Sequence, residues 1–402
     1  MPKNNITYPF KNKVLKDFVY AKDLLPFTDK EIFDLDQRLN EYEQIFLNPD
    51  IAKHLLTKNE MLASFAISKA EQSSLTLPEA EEIYNYLVKN PEYDFIGQKL
   101  KAKKKLTRKD YEKLEFYNIT KTFRAFNQKP FSLKKLNSKT ISGIHKQLTA
   151  GLDIFSKYLP AFNGYRSGLW RNNNLIRVAE YEPPDDKLII PAIKELILWL
   201  KKNPSINNAA IFHTALYAIH PFNNGNKRVC RILEHVIFRQ LGLNKKNLYS
   251  PSYYYHQEKN RYYKYLLYSL AHKNFNHFTS FVQEAVVLSI ISVIKTGWEV
   301  KKYDYLKKQS ISPKIKNILK PLVKRQELNF KNLYKHSQHK IARQTFVTYL
   351  QAAQNLKIIN RRQQGRTVYY SLAIKTKEEQ TFVSLIDFAQ SRLDYIPDEI
   401  KL

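Results

Sequence analysis

Two helical stretches joined by a short polar turn constrain the fold of this chain more than any other feature. Residues 209–220 and 227–242 each place apolar side chains at helical spacing. Between them, residues 223–226 read Asn-Asn-Gly-Asn, a turn-forming run. The pattern predicts two helices, with the backbone N–H groups of the turn at the start of the second. The apolar positions predicted to be buried there are Val229, Ile232, Leu233, Val236 and Ile237.

The residues around this turn have the chemistry of a phosphate-handling site. His220 ends the first helix, and the unperturbed pKa of histidine lies near neutrality, so it could take a proton from an attacking hydroxyl. Backbone N–H groups at a helix N-terminus bind anions. Lys227, Arg228 and Arg231 add positive charge to the first turn, where it opposes the helix dipole unless an anion neutralises it. The segment therefore predicts a polyphosphate ligand.

The segment HPFNNGNKRVCR resembles the signature of the Fic family, HPFx(D/E)GNGRxxR, at seven of its nine fixed positions. Members of this family typically transfer AMP from ATP to protein hydroxyl groups. The resemblance implies that His220 deprotonates the target hydroxyl, which attacks the α-phosphorus in line while pyrophosphate leaves. It also implies ATP with Mg²⁺ or Mn²⁺ as cofactor. The residues it assigns to the nucleotide phosphates are Gly225, Asn226, Arg228 and Arg231, and the charge of Lys227 makes it a further candidate for phosphate binding.

Two positions depart from the family pattern. Asn224 stands where the family has an acidic metal ligand, so it offers an oxygen without charge and metal affinity should fall. Deamidation of Asn224, which precedes Gly225, would restore a carboxylate. Lys227 replaces a glycine, as in the Doc branch, which phosphorylates its target. AMP transfer ranks first because His-Pro-Phe and Arg231 are present. The alternatives are a Doc-like kinase and a DNA-binding regulator with a degenerate Fic domain.

Residues 164–170 and 175–186 resemble the part of the Fic core that leads to the motif. The alternation from Leu175 to Tyr181 predicts a short strand in a β-hairpin flap, ended by Pro183. An exposed strand edge could pair with an extended target segment, although a simple covering hairpin is the alternative. The predicted docking residues are Leu175, Ile176, Arg177 and Val178.

A segment at about residues 60–85 resembles the inhibitory helix of Fic proteins, (S/T)xxxE(G/N). Ser64 matches this pattern, but Ser68 stands at the glutamate position. The resemblance implies that the carboxylate that blocks Arg231 is missing, that Arg231 is free for nucleotide and that auto-inhibition is weak. Glu71, nearly one helical turn further on, is the nearest substitute. The alternative is an ordinary helix surface.

The C-terminal third has the pattern of a winged helix, with three helical stretches from Ser312 followed by two short strands around a Gln-Gly turn. Ile341, Val347 and Leu350 form the predicted buried stripe of the third helix. Its outer face could enter a major groove, and the wing could hold phosphates; a wing that serves only protein contacts is the alternative. The predicted DNA-binding residues are Lys340, Arg343, Gln344, Thr348, Arg361, Arg362 and Arg366.

The charge balance favours an acidic partner. The chain of 402 residues holds 66 Lys and Arg against 37 Asp and Glu, a formal net charge of +29. Such an excess attracts nucleic acid, acidic proteins or anionic surfaces. The predicted partners are DNA and a protein with a Ser, Thr or Tyr hydroxyl that could itself be DNA- or chromatin-associated. No membrane partner is predicted, and the last helix, near residues 381–393, could mediate a homodimer.

The predicted fold class is mainly α: a Fic-type helical bundle with a short β-hairpin flap, plus a C-terminal winged-helix (α+β) domain. The predicted domains are an N-terminal helical segment, a catalytic core, a winged helix and a last helix, at residues 1–110, 111–295, 296–375 and 376–402. One cysteine, Cys230, excludes disulfides within the chain and indicates a reducing compartment. The longest apolar run, near residue 290, is too short for a membrane span. The expectation is a soluble cytoplasmic protein that could associate with the nucleoid. If the protein is exported as an effector, the expected location is the host cell or its nucleus.

Overall fold

The computed structural model describes residues 5–42, 49–70, 73–90, 92, 94–129, 131–159, 166–337 and 341–400. Within them the chain is mainly helical with one small antiparallel sheet, as the sequence predicts. The chain divides into two compact units. The first holds the described residues up to Asn40 and from Pro49 to Ser289, and the second holds Glu41, Tyr42 and the described residues from Ile290 onward. The four-part domain division proposed from the sequence stays a prediction.

Helices build the first unit. Short 3-10 turns lie at Lys22–Leu24, Leu133–Lys135, Leu152–Lys157 and Asp186–Leu188, and a further turn, Leu39–Tyr42, begins in this unit and ends in the second. The α-helices are α1 Asp29–Arg38, α2 Pro49–Lys69, α3 Leu77–Lys89, α4 Phe95–Lys101, α5 Arg108–Gln128, α6 Ser138–Leu148, α7 Ile189–Lys202, α8 Ile206–Ile219, α9 Asn226–Gln240, α10 Pro251–Gln257, α11 Lys259–Ala271 and α12 Asn276–Lys308, the last of which continues into the second unit.

The two helices predicted on either side of the polar turn are confirmed as α8 and α9, which pack against each other. Ser205 caps the start of α8 by accepting a hydrogen bond from the Asn208 N–H. All five apolar positions predicted on α9 are buried. This pairing fixes the end of α8 beside the start of α9, where the candidate site lies.

Helix α2 is held against α5 and α10 by a cluster of apolar side chains. The sequence Thr28-Asp29-Lys30-Glu31 has the pattern of a capping box, and this box is present at the start of α1. A second box at Thr107 and Asp110 starts α5. The buried cluster that seats α2 comprises Met61, Leu62, Phe65, Leu75, Ala80, Tyr84 and Phe116. Its packing brings the C-terminal end of α2 next to α9.

The second unit combines four further helices with the sheet. The helices are α13 Pro313–Leu319, α14 Phe330–His336, α15 Arg343–Asn355 and α16 Lys377–Gln390, with a 3-10 turn at Lys320–Val323. The strands are β1 Leu328–Asn329, β2 Ile359–Gln364 and β3 Thr367–Leu372, in the order β1-β3-β2. All pairs are antiparallel, and the β2–β3 register runs from Ile359 opposite Leu372 to Gln364 opposite Thr367.

The buried stripe predicted on α15 is only partly correct. Leu350 is buried, but Ile341 and Val347 are half-buried. Phe346, which the prediction left out, is fully buried and shares a face with Leu350 and Ala353 at the i, i+4, i+7 spacing of a helix. The register of the core face is therefore shifted by one residue from that predicted around Val347.

One described helix, α12, is long and apolar enough to cross a membrane by length and composition alone. Of its most apolar window, 83% is buried inside the protein. A core helix of a globular protein passes the same test, and burial of this extent is what such a helix shows.

Candidate active site

His220 stands where α8 ends and is 8% exposed. Its backbone is in the left-handed region, with φ 49° and ψ 60°, and Pro221 follows, so the helix cannot continue. The imidazole Nδ1 lies 3.3 Å from the Tyr217 carbonyl oxygen. Because a carbonyl can only accept, Nδ1 carries a proton, and in the neutral ring the lone pair is then on Nε2. This tautomer suits His220 to act as a base.

The loop between α8 and α9 is closed by Asn226. The Phe222 N–H donates to its side-chain oxygen at 3.0 Å, and its amide nitrogen donates back to the Phe222 carbonyl at 2.7 Å. Gly225 has φ 78°, and a Cβ there would lie 3.3 Å from Arg228 Nη2. Gly225 and Asn226, both predicted to bind phosphate, thus have different structural roles. The Asn226 side chain closes the loop, and Gly225 lets the backbone pass close to the Arg228 guanidinium.

The three motif cations are partnered within the described structure. Lys227 Nζ donates to the Ala70 carbonyl at 3.1 Å, and Arg231 Nη1 donates to the Ala66 carbonyl at 3.1 Å. Both acceptors lie at the C-terminal end of α2, where helix carbonyls lack intrahelical donors and carry partial negative charge. Arg231 thus has a backbone contact in place of a blocking carboxylate, and its availability to nucleotide stays a prediction. Arg228, unlike the other two cations, forms an ion pair with a carboxylate, that of Glu115 on α5.

Aromatic rings also hold Arg231. Its guanidinium lies 4.3 Å from the ring centre of Tyr262 and 5.4 Å from that of Tyr255. The Tyr255 hydroxyl donates to Glu234, whose other oxygen lies 2.8 Å from His213 Nδ1. This buried network fixes the rings, and the rings in turn fix the arginine.

The inhibitory-helix-like segment is buried at both of its described sites. The Ser64 hydroxyl donates to the Glu60 carbonyl in its own helix, and the Ser68 hydroxyl lies 3.5 Å from Glu115 Oε2. Both serines are 0% exposed, so an ordinary helix surface is the wrong interpretation. Glu71 lies outside the described residues.

Glu115 was missed from the sequence. It stands on α5, is 1% exposed, and accepts hydrogen bonds from Arg228 at 2.9 Å and from the Tyr111 hydroxyl at 2.8 Å. A carboxylate thus reaches the region of Ser68 from a different helix. The Tyr111–Glu115 spacing of four residues is common on helix surfaces, so it carried no distinguishing signal.

His145, on α6, and Arg171 were missed as well. Arg171 is 3% exposed and its Nε donates to the His220 carbonyl at 2.8 Å, while its own N–H donates to the Pro221 carbonyl. Its guanidinium also donates to the carbonyls of Asn173 and Pro184. Arg171 therefore ties the backbone of the candidate base to the segment that follows it in the predicted flap.

The strand predicted from Leu175 to Tyr181 is wrong. Val178 and Tyr181 exchange two backbone hydrogen bonds, at 2.9 and 3.0 Å, around a turn in which Ala179 has φ 53°. Among the described residues of this segment, the β pairing consists of this isolated bridge. Alternating β-branched residues favour a strand only where a neighbouring strand pairs with them.

The four predicted docking residues differ in exposure. Leu175 is 89% exposed, and Ile176 is half-buried. Arg177 is exposed and pairs with Glu182 at 2.9 Å, whereas Val178 is buried. The accessible part of the flap thus runs from Leu175 to Arg177.

Asn224 is the one candidate metal ligand from the sequence. It is half-buried, and its backbone carbonyl accepts a hydrogen bond from His145 Nε2 at 3.1 Å. Within the described part of the chain, no group of three or more His, Cys, Asp or Glu side chains could hold a metal. A single amide oxygen fits Mg²⁺ only where nucleotide phosphates supply further ligands.

The residues predicted to contact DNA lie on the second unit. Arg343, Gln344 and Thr348 are exposed on α15, and Lys340 lies outside the described residues. On the β2–β3 hairpin, the exposed residues are Arg361, Arg362 and Arg366. Of these, Arg362 pairs with Glu327 through Nε at 3.1 Å and lies over the Tyr369 ring.

Residues 135–238 match the Fic/DOC family. The predicted family domain is therefore confirmed over α6 to α9, which includes the loop with His220. A Fic family protein from Desulfovibrio desulfuricans has a similar solved structure, with a TM-score of 0.50 at 17% identity, covering 88% of this chain and 99% of that one. At this identity the likeness supports the fold alone, which agrees with the mainly helical prediction.

Two curated relatives are similar over part of their length. A probable protein adenylyltransferase of Aquifex aeolicus is 27% identical over 135 residues, which is 32% of this chain and 39% of that protein. Protein adenylyltransferase Fic of Drosophila yakuba is 26% identical over 140 residues, 34% of this chain and 27% of that protein. The match therefore spans well under half of either relative.

Proposed function

We propose that this chain is a protein adenylyltransferase, which transfers AMP from ATP to a Ser, Thr or Tyr hydroxyl of a protein. The observation that carries the proposal is the placement of His220 at the end of α8, one loop before the cationic first turn of α9, inside a Fic/DOC family domain. The names of the two relatives support the same activity.

The proposed reaction is an in-line displacement. His220 Nε2 takes the hydroxyl proton, the hydroxyl oxygen bonds to the α-phosphorus, and the bond to the β-phosphate oxygen breaks to release pyrophosphate. The loop at Gly225 and Asn226 and the side chains of Lys227, Arg228 and Arg231 would face the phosphates. Catalysis here is positioning and charge stabilisation. Mg²⁺ or Mn²⁺ bound with ATP through Asn224 would supply neutralisation of phosphate charge.

The position of the labelled phosphate that is transferred from ATP tests this proposal. Wild type and His220→Ala are incubated with cell lysate, Mg²⁺ or Mn²⁺, and ATP labelled at either the α- or the γ-phosphate. Transfer of α-label alone, lost in His220→Ala and kept in the exposed-histidine control His272→Ala, is the expected result. Transfer of γ-label would instead establish the kinase alternative suggested by Lys227. No His220-dependent label from either position would favour a regulator with a degenerate domain.

Auto-inhibition by α2 is weakened in this proposal, because Ser68 brings no carboxylate to Arg231. The neutral Ala66 carbonyl is a weaker partner for the guanidinium than a carboxylate, so a phosphate oxygen displaces it more readily. Ser68→Glu should therefore slow AMP transfer more than Ser68→Gln, which adds the same bulk. Equal rates in the two variants would contradict the proposal.

The second unit is proposed to be a winged helix that tethers the enzyme to DNA. Its order of helix, strand, two helices and a β-hairpin, from α13 to β3, supports that assignment, as does the exposed basic hairpin. Arg343 and Gln344 on α15 would face bases. Because Glu327 neutralises Arg362, Arg361 and Arg366 are the hairpin residues expected to contribute most to phosphate binding.

Salt dependence tests the DNA proposal. Binding of a fluorescent duplex is measured over a range of salt concentrations, and the double variant Arg361→Ala/Arg366→Ala should reduce the slope of log K against log salt by about 2. The control Lys103→Ala/Lys104→Ala removes two exposed lysines from the first unit and should leave the slope unchanged. If wild type did not bind the duplex even at low salt, the DNA proposal would be refuted, and the alternative of a wing that contacts only protein would be favoured.

Tethering suggests the substrate and the location. A transferase held on DNA meets proteins that also bind DNA, so a DNA- or chromatin-associated protein, or the chain itself, is the proposed target. The proposed location is the cytoplasm with nucleoid association, or a host nucleus after export. Labelled targets that are all unrelated to nucleic acid, with no effect of added DNA on labelling, would contradict this.

A further inference from the structure

His145 joins two parts of the candidate site through one neutral ring. Its Nδ1 lies 3.0 Å from the Gly168 nitrogen, and its Nε2 lies 3.1 Å from the Asn224 carbonyl oxygen. A backbone N–H can only donate and a carbonyl can only accept, so Nδ1 holds the lone pair and Nε2 the proton. The two partners thus determine the tautomer.

Packing holds the ring in this orientation. His145 is 2% exposed and lies parallel to the Phe222 ring, with centres 3.8 Å apart and planes 4° apart. Trp170 also stacks on Phe222, at 4.9 Å and 21°. The stacking fixes the ring beneath the loop, and the ring is neutral because Nδ1 accepts the Gly168 hydrogen bond.

The hydrogen bond to Asn224 orients the peptide that joins Asn224 to Gly225. In a trans peptide the carbonyl and the following N–H point in opposite directions, so holding the carbonyl toward His145 turns the Gly225 N–H away from it. A Cβ at Gly225 would lie 3.5 Å from the His145 ring, which shows how closely the backbone passes. Asn226 holds the other end of the same loop through Phe222.

We propose that His145 is a positioning residue for the phosphate-binding loop. Its Nε2–H presents the Gly225 amide to the nucleotide phosphates, and its Nδ1 ties Gly168, which precedes the flap, to the same loop. The inference rests on the proposed AMP transfer from ATP. It adds a residue that contacts neither hydroxyl nor nucleotide and acts through the orientation of one peptide plane.

Two substitutions separate the two hydrogen bonds. The terminal amide nitrogen of glutamine replaces Nε2, so His145→Gln keeps a donor for the Asn224 carbonyl. The side-chain oxygen of asparagine replaces Nδ1, so His145→Asn keeps an acceptor for the Gly168 N–H. Both remove the ring stack on Phe222, so a role in packing alone predicts equal effects. His272→Gln and His272→Asn, at an exposed histidine, are the matched controls.

Amide hydrogen exchange is measured first, on the full chain without nucleotide. His145→Asn should expose the peptide at residues 222–226 while Gly168 stays protected, and His145→Gln should do the reverse. Transfer of α-label should then fall about tenfold further in kcat/KM for ATP in His145→Asn than in His145→Gln, the worth of one oriented hydrogen bond. The same exchange pattern and the same kinetics in both variants would overturn the proposal.

Wild-type protein provides a readout that needs no variant to fold. Nitrogen NMR of labelled histidines at neutral pH should show His145 as the neutral tautomer with the proton on Nε2. The other tautomer or the cation would overturn the proposal. Wild type without AMP transfer would refute the proposed function, while the tautomer and the exchange pattern would still decide whether His145 orients the loop.

Discussion

Arg228 and Glu115 form an ion pair that is removed from solvent on both sides. Nη1 of the arginine lies 2.9 Å from Oε1 of the glutamate, and the side chains are 0% and 1% exposed. The Tyr111 hydroxyl donates to the same carboxylate oxygen. Removing one partner of a buried pair costs about 3–5 kcal/mol, because the other charge is left without compensation. An incoming phosphate must therefore compete with Glu115 for Arg228.

Glu115→Gln should make the fold depend on nucleotide. Without ATP the variant should unfold at a lower temperature than wild type, since Arg228 loses its anion. With ATP it should gain more stability than wild type, because a phosphate supplies the missing charge and binding shifts the unfolding equilibrium. Thermal unfolding with and without saturating ATP and Mg²⁺ measures both effects.

Glu112→Gln is the control for that experiment. Glu112 lies on the same helix, its side chain is 3% exposed, and its partners Arg108 and Ser74 lie outside the motif. It should lose stability without a larger gain from ATP. Equal ATP-induced gains in the Glu115 and Glu112 variants would refute competition at Arg228.

What the sequence predicted correctly is local, and what it missed is contact between distant residues. Helices α8 and α9 and the Thr28 cap follow from spacing within a few residues. Glu115 meets Arg228 across 113 residues, and His145 meets Asn224 across 79. No periodicity encodes such pairs.

The flap shows the converse error. The alternation of apolar residues from Leu175 is a strand pattern, yet these residues lack a neighbouring strand in the described structure and form a bridged turn instead. The prediction for α15 was wrong by one residue, because it placed Val347 in the buried stripe where the structure buries its neighbour Phe346.

Asn224→Asp should lower the metal concentration needed for AMP transfer. A carboxylate adds charge to an oxygen that Mg²⁺ can already use, so the concentration of Mg²⁺ giving half-maximal rate should fall about tenfold. The measurement is the rate of α-label transfer against Mg²⁺ concentration at fixed ATP. Asn223→Asp places the same charge one residue earlier, and should leave the metal dependence as in wild type. A fall in both variants would indicate a general electrostatic effect.

Acid should destabilise the fold through His235. Its Nε2 lies 3.0 Å from the Asn127 side-chain oxygen and its ring stacks on Phe123. Burial, with the nearby charge of Arg239, lowers the pKa of His235 to about 3. The folded state thus favours the neutral ring. Its contribution is complete above the unfolded pKa of about 6.5 and is lost as pH falls toward 3, by up to about 1.4 kcal/mol per pH unit.

Urea unfolding at several pH values between about 7 and 4 tests this linkage. The free energy of unfolding of wild type should fall with pH more steeply than that of His235→Gln, which cannot titrate. His272→Gln, at an exposed histidine, should keep the wild-type slope. Parallel slopes for wild type and His235→Gln would show that His235 does not contribute.

Phe346→Ala should destabilise the second unit far more than Val347→Ala. Phe346 is 0% exposed and meets the rings of Phe330 and Tyr334 with centres 5.5 and 5.0 Å away. Its truncation leaves a cavity and should cost about 3–5 kcal/mol, whereas removing two methyl groups from the half-buried Val347 should cost about 1 kcal/mol or less. Chemical unfolding followed through Trp298, which lies in this unit, distinguishes the two. A larger loss of unfolding free energy in Val347→Ala than in Phe346→Ala would support the buried stripe predicted from the sequence, with Val347 in the core.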